Sequence, residues 1–175
     1  MQAAGFAFTY SGDFTDNRVD GVGTVRLNTS GTLTVTGSPV TVIATIVGAG
    51  GGGAFTSKFL RCAGGGGGGN QTITVTLQPG TYDMVIGTGG AAASGSSNVV
   101  AGAGGNTIAF GATSTGGQGG TADTSPVGGV GGTPNGAQGG TALTTSVAGG
   151  SPNGGGVVSR TPQAGGDGYV ELTFS

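Results

Sequence analysis

Apolar and polar positions alternate with a period of two through most of the first 110 residues, the signature of strands with one buried face. Phe6, Phe8 and Tyr10 fall on one side of such a segment, Ala7 and Thr9 on the other. Val25 and Leu27 alternate with Thr24 and Arg26, and Leu33 and Val35 with Thr32, Thr34 and Thr36. The run VTVIATIV, residues 40–47, is more continuously apolar and predicts a central strand covered on both faces. Ile73, Val75 and Leu77 alternate with Thr72, Thr74 and Thr76; the Pro79-Gly80 dipeptide then turns the chain back through Tyr82, Met84 and Ile86, which predicts a hairpin. A short segment from Thr107 to Phe110 has strand character, and Val170, Leu172 and Phe174 face inward from a last strand. About eight strands result, the size of a two-sheet jelly roll.

Helix has little room in this chain. Only residues 54–63, AFTSKFLRCA, run ten positions without Gly or Pro in reach of a glycine tract, and glycine costs roughly 1 kcal/mol in a helix interior. Phe55 and Phe59 are spaced as i and i+4 there, so the segment is expected to be a loop or one or two helical turns packing two rings.

Composition sharpens this picture. Of 175 residues 45 are glycine, far above the usual share of about 7%. Charged residues make up 7%, five basic against seven acidic, too few for the cationic stripe that nucleic acid requires. There is no His, and the single Cys62 permits neither an internal disulfide nor a zinc site. Cys62 beside Arg61 and near Lys58 is read as a small buried hydrophobe. Neither an acid/base pair nor an activated nucleophile stands out, so no enzyme and no cofactor is expected. The start MQAAGFAFTY lacks a secretory pattern, and no apolar run reaches the roughly 18 residues of a membrane span. Asp13, Asp16, Asn17 and Asp20 near Gly21 do not have the spacing of a calcium loop and read as a polar turn. Gly48, Gly50 and Gly53 match a dinucleotide fingerprint in form, but glycine stands where its ribose-binding acid belongs.

Glycine tracts at 48–53 and 64–69 flank the ten-residue segment, and a longer array runs over about 102–168, its doublets separated by Thr, Ser, Pro, Asn and Asp. One reading is flexible low-complexity chain. The other is a bundle of polyglycine-II rods, with three residues per turn and ~3.1 Å rise, whose N–H and C=O groups bond to neighbouring rods. The array is nearly uncharged, and a clear strand after it must return to the sheet; both favour the bundle. The chain is thus expected to be a single domain, with sandwich strands mainly at 5–110 and 168–175.

The segments ATIVGAGGGG, AGGGGGG, ITVTLQPGTYDMVIGTGG and GGDGYVELTF, in this order around a Gly-x-Gly-Gly array, resemble the glycine-rich domain of bacteriophage tail-fibre and other virion proteins. The resemblance covers essentially the whole chain. It implies a jelly-roll sandwich of tumour-necrosis-factor-like type with polyglycine-II rods inserted between strands, location in the virion, a trimer, and a part in host recognition or particle architecture. As a departure from that family's pattern, neither a fibre shaft nor an extra attachment domain is expected here, so its anchoring to other virion proteins is left open.

Three functions are open on this basis: a tail-fibre or receptor-binding component contacting host-surface carbohydrate or protein, a structural decoration or head-fibre protein, and an ice-binding surface made of flat rods bearing Thr and Ala. Rod backbones are consumed by lattice bonds, so side chains able to discriminate a ligand must sit where rods turn. The candidates are Thr121, Asp123, Thr124 and Ser125; Thr133 and Asn135 around Pro134; Thr144, Thr145 and Ser146; Asn153 after Pro152; and Arg160, Thr161 and Gln163. Ordinary turn chemistry favours the same residue types.

Overall fold

The computed structural model describes residues 5–142 and 146–175. The described residues contain strands and turns and no helix. The N-terminal part supplies β1 (Ala7–Tyr10), β2 (Phe14–Asp16), β3 (Gly23–Leu27), β4 (Gly31–Thr36) and β5 (Val40–Val47). Next come β6 (Ala54–Thr56), β7 (Arg61–Ala63), β8 (Asn70–Leu77) and β9 (Gly80–Met84). Short strands follow: β10 (Ala93–Gly95), β11 (Val99–Val100), β12 (Thr107–Ala109), β13 (Ala112–Ser114), β14 (Thr121–Ala122), β15 (Thr141–Ala142), β16 (Val157–Val158) and β17 (Thr161–Pro162). The last, β18 (Tyr169–Phe174), is long again.

Eight of these strands make two antiparallel sheets, one of five strands in the order β2-β3-β18-β5-β8 and one of three in the order β1-β4-β9. Alternation sends Val25, Leu27, Leu33, Val35, Ile46 and Leu172 into a common core, where all are buried. The arrangement is sandwich-like, and neither sheet closes. At one margin Phe8 and Phe174 stack at 6.5 Å, with the Arg18 guanidinium 4.7 Å from the first ring centroid and 4.8 Å from the second. Asp16 takes Arg18 through Nε at 2.9 Å and Nη2 at 2.6 Å, and these bonds hold its carboxyl below the usual carboxylate range.

Tyr10 lies beside this cluster, donating its hydroxyl to the Thr29 carbonyl, and burial pushes its phenol up to about 12. Its unfolded value is near 10. Because the folded value is the higher one, the stabilisation is complete below pH ~10 and is lost as pH rises through about 12. Urea unfolding measured across that window is expected to show a steeper loss of stability in the native chain than in Tyr10→Phe; equal slopes overturn this.

Four expectations need correction. Val40–Val47 is not covered on both faces: β5 lies one strand from the sheet edge, and Ile43 is 48% exposed. An isoleucine among the outward positions Thr41 and Thr45 hid the alternation. Residues 72–86 do not form a hairpin. β8 pairs with β5 and β9 with β4, so the Pro79-Gly80 turn carries the chain from one sheet to the other, putting Leu77 and Met84 into the core from opposite sides. The Tyr82 hydroxyl fixes this arch, accepting from the Gln78 N–H (2.9 Å) and donating to the Gln78 carbonyl (3.0 Å). Thr107–Ala109 is a strand and pairs, as expected, but with β13 in a separate hairpin that reaches the sandwich edge through a Val85–Ile108 bridge; only its place among the eight sandwich strands is corrected, and β2 takes it. Finally, residues 54–63 are neither loop nor helix but the hairpin β6–β7. Phe55 is buried against Cys62 and Val157, while Phe59 sits in the turn with Lys58 Nζ 5.3 Å from its ring. The flanking glycine segments arrive as an antiparallel pair and extend whatever lies between them.

Those segments bond with a different period from the strands. N–H groups of Gly48 and Gly51 donate to Gly69 and Gly66; those of Ala49 and Gly52 to Gly105 and Gly102; those of Gly50 and Gly53 to Gly166 and Gln163, all at 2.8–3.1 Å. Successive donors thus visit three neighbours in rotation. The carbonyls reach three further segments, accepting from Gly117 and Gly120, from Gly90 and Ala93, and from Gly155. Residues 64–69 repeat the scheme, donating to Gly140 and Ala137, to Gly155 and Pro152, and to Gln118 and Thr115. Glycines with positive φ (Gly5, Gly21, Gly23, Gly37, Gly80 and Gly111) all lie outside these tracts. Inside them glycine is required for space: a Cβ on Gly51 would overlap the Gln118 carbonyl, and one on Gly66 the Val130 carbonyl.

Candidate functional site: the turns of the glycine segments

The segment pair 48–53 and 64–69 leaves the five-stranded sheet from β5 and returns to it at β8, so the turn of β6–β7 at residues 57–60 lies at the end remote from the sandwich. Other turns gather there. Ser57 N–H donates to Gly95 (2.9 Å) and Lys58 N–H to Ser96 (3.2 Å), placing the turn after β10 alongside. β14 packs on β6 and β7, β15 pairs with β7, and β17 packs on β6 and β10. Ser159 N–H donates to Ser146 Oγ at 2.9 Å.

This divides the candidate residues. Thr121, Asp123, Thr124, Ser125, Ser146, Arg160 and Thr161 belong to the remote end. Asp123 Oδ1 there accepts the Ser125 N–H at 2.6 Å, an Asx turn that shapes the loop. Gln163 is exposed but lies within a glycine segment, its carbonyl accepting the Gly53 N–H. Thr133, Asn135 and Asn153 lie at the opposite end, against the sandwich. Asn135 Nδ2 donates to Asn70 O (3.1 Å) at the start of β8, and Asn153 Nδ2 to Asp167 O (2.9 Å) just before β18. Thr133 N–H donates to Thr115 Oγ1 at 2.7 Å. These three close the junction. Thr144 and Thr145 lie outside the described residues.

Charge is divided in the same way. Lys58, Arg61 and Arg160 are three of the five cations, and all stand at the remote end; Asp123 is one acid there among seven in the chain. The Arg61 Nε is buried without a hydrogen-bond partner. Neighbouring Thr56 is buried too, its hydroxyl donating to Ser96 O at 2.9 Å.

Two concavities stand out. One of about 380 Å³ opens between the sheet edges and is lined by Val75, Tyr82, Asp83, Phe110 and Gly111. The other, about 300 Å³, lies at the remote end among Phe55, Ser57, Ser94, Gly95 and Arg160, brought together from β6–β7, β10 and the β16–β17 hairpin. Phe55 was visible in the sequence as part of an odd segment; nothing in the sequence marked Ser94 or Gly95, because their partners are 37 to 66 positions away.

Other chemistry finds no constellation. Among the described residues no group of three or more Asp, Glu and Cys side chains gathers. Asp16 is committed to Arg18, and Asp20 with Gly21 forms the turn closed by the Val19–Val22 bridge. Gly48–Gly53, the formal dinucleotide match, is enclosed by neighbouring backbone and open to no phosphate. Cys62 is buried, and burial pushes its thiol up, away from the reactive thiolate. Among the described residues no helix is long and apolar enough to cross a membrane.

A family model described as a glycine-rich domain matches residues 26–174. No curated protein matches the chain.

Proposed function

Since the chain belongs to the glycine-rich domain family, we propose that it is a non-enzymatic bacteriophage virion protein, a tail-fibre or receptor-binding component that offers the turns of its glycine segments to the host surface. The virion setting rests on the resemblance of ATIVGAGGGG, ITVTLQPGTYDMVIGTGG and GGDGYVELTF to glycine-rich domains of tail-fibre proteins. In this reading the sandwich is jelly-roll-like and the glycine segments are polyglycine-II rods. The three-residue rotation of hydrogen bonds supports the rods, since a helix of three residues per turn aims successive N–H groups about 120° apart.

The observation that carries the functional reading is the separation of roles between the two ends. Turn side chains near the sandwich are spent on its backbone, whereas Thr124, Ser125, Arg160 and Thr161 at the remote end, which also holds three of the five cations, are exposed. A rigid scaffold presenting variable turns is how binding loops are held. The alternative, a decoration or head-fibre protein, needs the rigid bundle but not the exposed turns.

Binding of fluorescently labelled protein to a panel of bacterial strains separates the two. Replacing residues 123–126 and 158–161 together with minimal Asn-Gly turns is expected to lower binding to susceptible cells at least tenfold while the melting temperature is retained. Unchanged binding by the folded variant favours the structural role. Self-association as a trimer with other virion proteins as neighbours is part of the proposal, and a monomer mass in light scattering removes it for the free protein.

A further inference from the structure

Among the described residues, three two-residue hairpin turns have positive φ at both central positions: Asp20-Gly21, Phe110-Gly111 and Ser159-Arg160. Such turns select Asn, Asp and Gly, because other side chains meet the backbone in the left-handed region. Asp20-Gly21 obeys that rule. Phe110 departs from it, at φ 53°, but its ring packs on Tyr82 at 5.7 Å with the planes at 64°, so contact with the sandwich offsets the strain. Ser159 and Arg160, at φ 46° and 70°, both depart from it. Arg160 is exposed and makes no hydrogen bond, ion pair or ring contact among the described residues. Ser159 is held by its N–H bond to Ser146 Oγ (2.9 Å), but nothing of the kind offsets the strain at Arg160, which points to something outside the fold.

The strained turn aims Arg160 at the remote cleft. Phe55 forms its apolar floor, Ser57 and Ser94 bring hydroxyls, and Gly95 leaves a wall without side chain. We propose that this cleft binds a carboxylate-bearing sugar, such as a uronic acid unit of an acidic surface glycan. The inference rests on the host-surface reading and names its ligand class. The Arg160 guanidinium takes the carboxylate through two parallel hydrogen bonds. The Ser94 hydroxyl pairs with a ring hydroxyl, the Ser57 oxygen, whose proton goes to Gly95 O (3.2 Å), accepts from another, and the apolar face of the sugar lies toward Phe55. Lys58 and Arg61 on the adjoining hairpin add to the positive potential that draws a polyanion to this end, with Asp123 the acid on a neighbouring turn.

The test is an amide and guanidinium NMR titration of the full chain with glucuronate, with glucose and with inorganic phosphate. Glucuronate is expected to give saturable shifts at Ser57, Ser94, Gly95 and Arg160 Nε, with glucose at least tenfold weaker. Arg160→Lys should bind more weakly than the native chain but better than Arg160→Ala, because lysine keeps the charge and loses the fork. The double variant Ser159→Asn, Arg160→Gly restores the favoured turn: its melting temperature is expected to rise by roughly 2–4 °C while the glucuronate shifts vanish. Equal affinity for glucose, phosphate binding without glucuronate binding, or glucuronate shifts that survive in the double variant would each overturn the proposal. Loss of cell binding on turn replacement without any glucuronate binding rejects the cleft and keeps the host-surface role. Glucuronate binding through Arg160 in a protein that binds no cells supports the cleft and rejects the host-surface role.

Discussion

Gly66→Ala is expected to cost roughly 3–5 kcal/mol and to leave little folded protein. A single methyl is the whole perturbation, and it overlaps the Val130 carbonyl with the Gly129 carbonyl at 2.7 Å behind it. Overpacking ordinarily costs about 1–3 kcal/mol, partly because flexible side chains yield. Here the opposing atoms are backbone. Displacing them also weakens the Gly66 N–H bond to Gln118 O (2.8 Å) and those of the segments beyond it, each worth about 1 kcal/mol. Valine at Gly119 or Gly131 should do the same, since a Cβ at those sites overlaps the Ala101 and Gly136 carbonyls. Gly111→Ala is the control. No atom lies within 4 Å of its added methyl, and only the φ of 76° opposes it, for about 1–2 kcal/mol. Urea denaturation of these variants ranks them, and a Gly66→Ala protein as stable as Gly111→Ala means that the segments are not packed together.

Removing residues 169–175 is expected to abolish cooperative folding altogether. β18 is the middle strand of the larger sheet, paired with β3 on one side and β5 on the other. Its loss takes Val170, Leu172 and Phe174 out of the core, about 1.5–3 kcal/mol each, and splits the sheet into two pairs, β2–β3 and β5–β8, each with a newly unpaired edge. That is comparable with the whole stability of a domain, about 5–15 kcal/mol. The truncated chain should show no sigmoidal thermal transition by circular dichroism. A sharp transition at the native temperature contradicts the pairing of the last strand between β3 and β5.

How far the sequence reveals this molecule depends on the range of the interaction concerned. The alternation in Gly23–Leu27, Gly31–Thr36 and Tyr169–Phe174 is local, and it identified strands and their inward faces. Pairing is not local. Pro79-Gly80 announces a reversal, but whether the strands it joins bond to each other or enter different sheets is decided by β4 and β5, more than thirty residues earlier. The ten residues from Ala54 to Ala63 show the same limit: their ring spacing suited a helical turn, yet two glycine segments held by backbone bonds extend them. For the candidate site, turn residues were legible as turn residues. Their division between the two ends was not, because Asn135 and Asn153 look in the sequence like Asn, Ser or Thr at any other reversal. Arg160 was legible as an isolated cation; the strained turn that aims it, and the Ser94-Gly95 wall opposite, exist only once the segments are assembled.

The three-step rotation of hydrogen bonds in the glycine segments also restricts how such a chain can change length. A strand tolerates a two-residue change of register with its faces preserved. Within 48–53 or 64–69, one inserted residue would redirect every later N–H to a different neighbour, by about 120°, and the mismatch would spread to all six surrounding segments. Insertions or deletions of three keep the phase and alter only the reach of the bundle, provided that adjoining segments change alike. Turns at the remote end carry no such phase. Length there can drift freely while the segments grow or shrink in whole triplets, so divergence among chains of this kind should fall into two classes of indel, counted differently on either side of each turn.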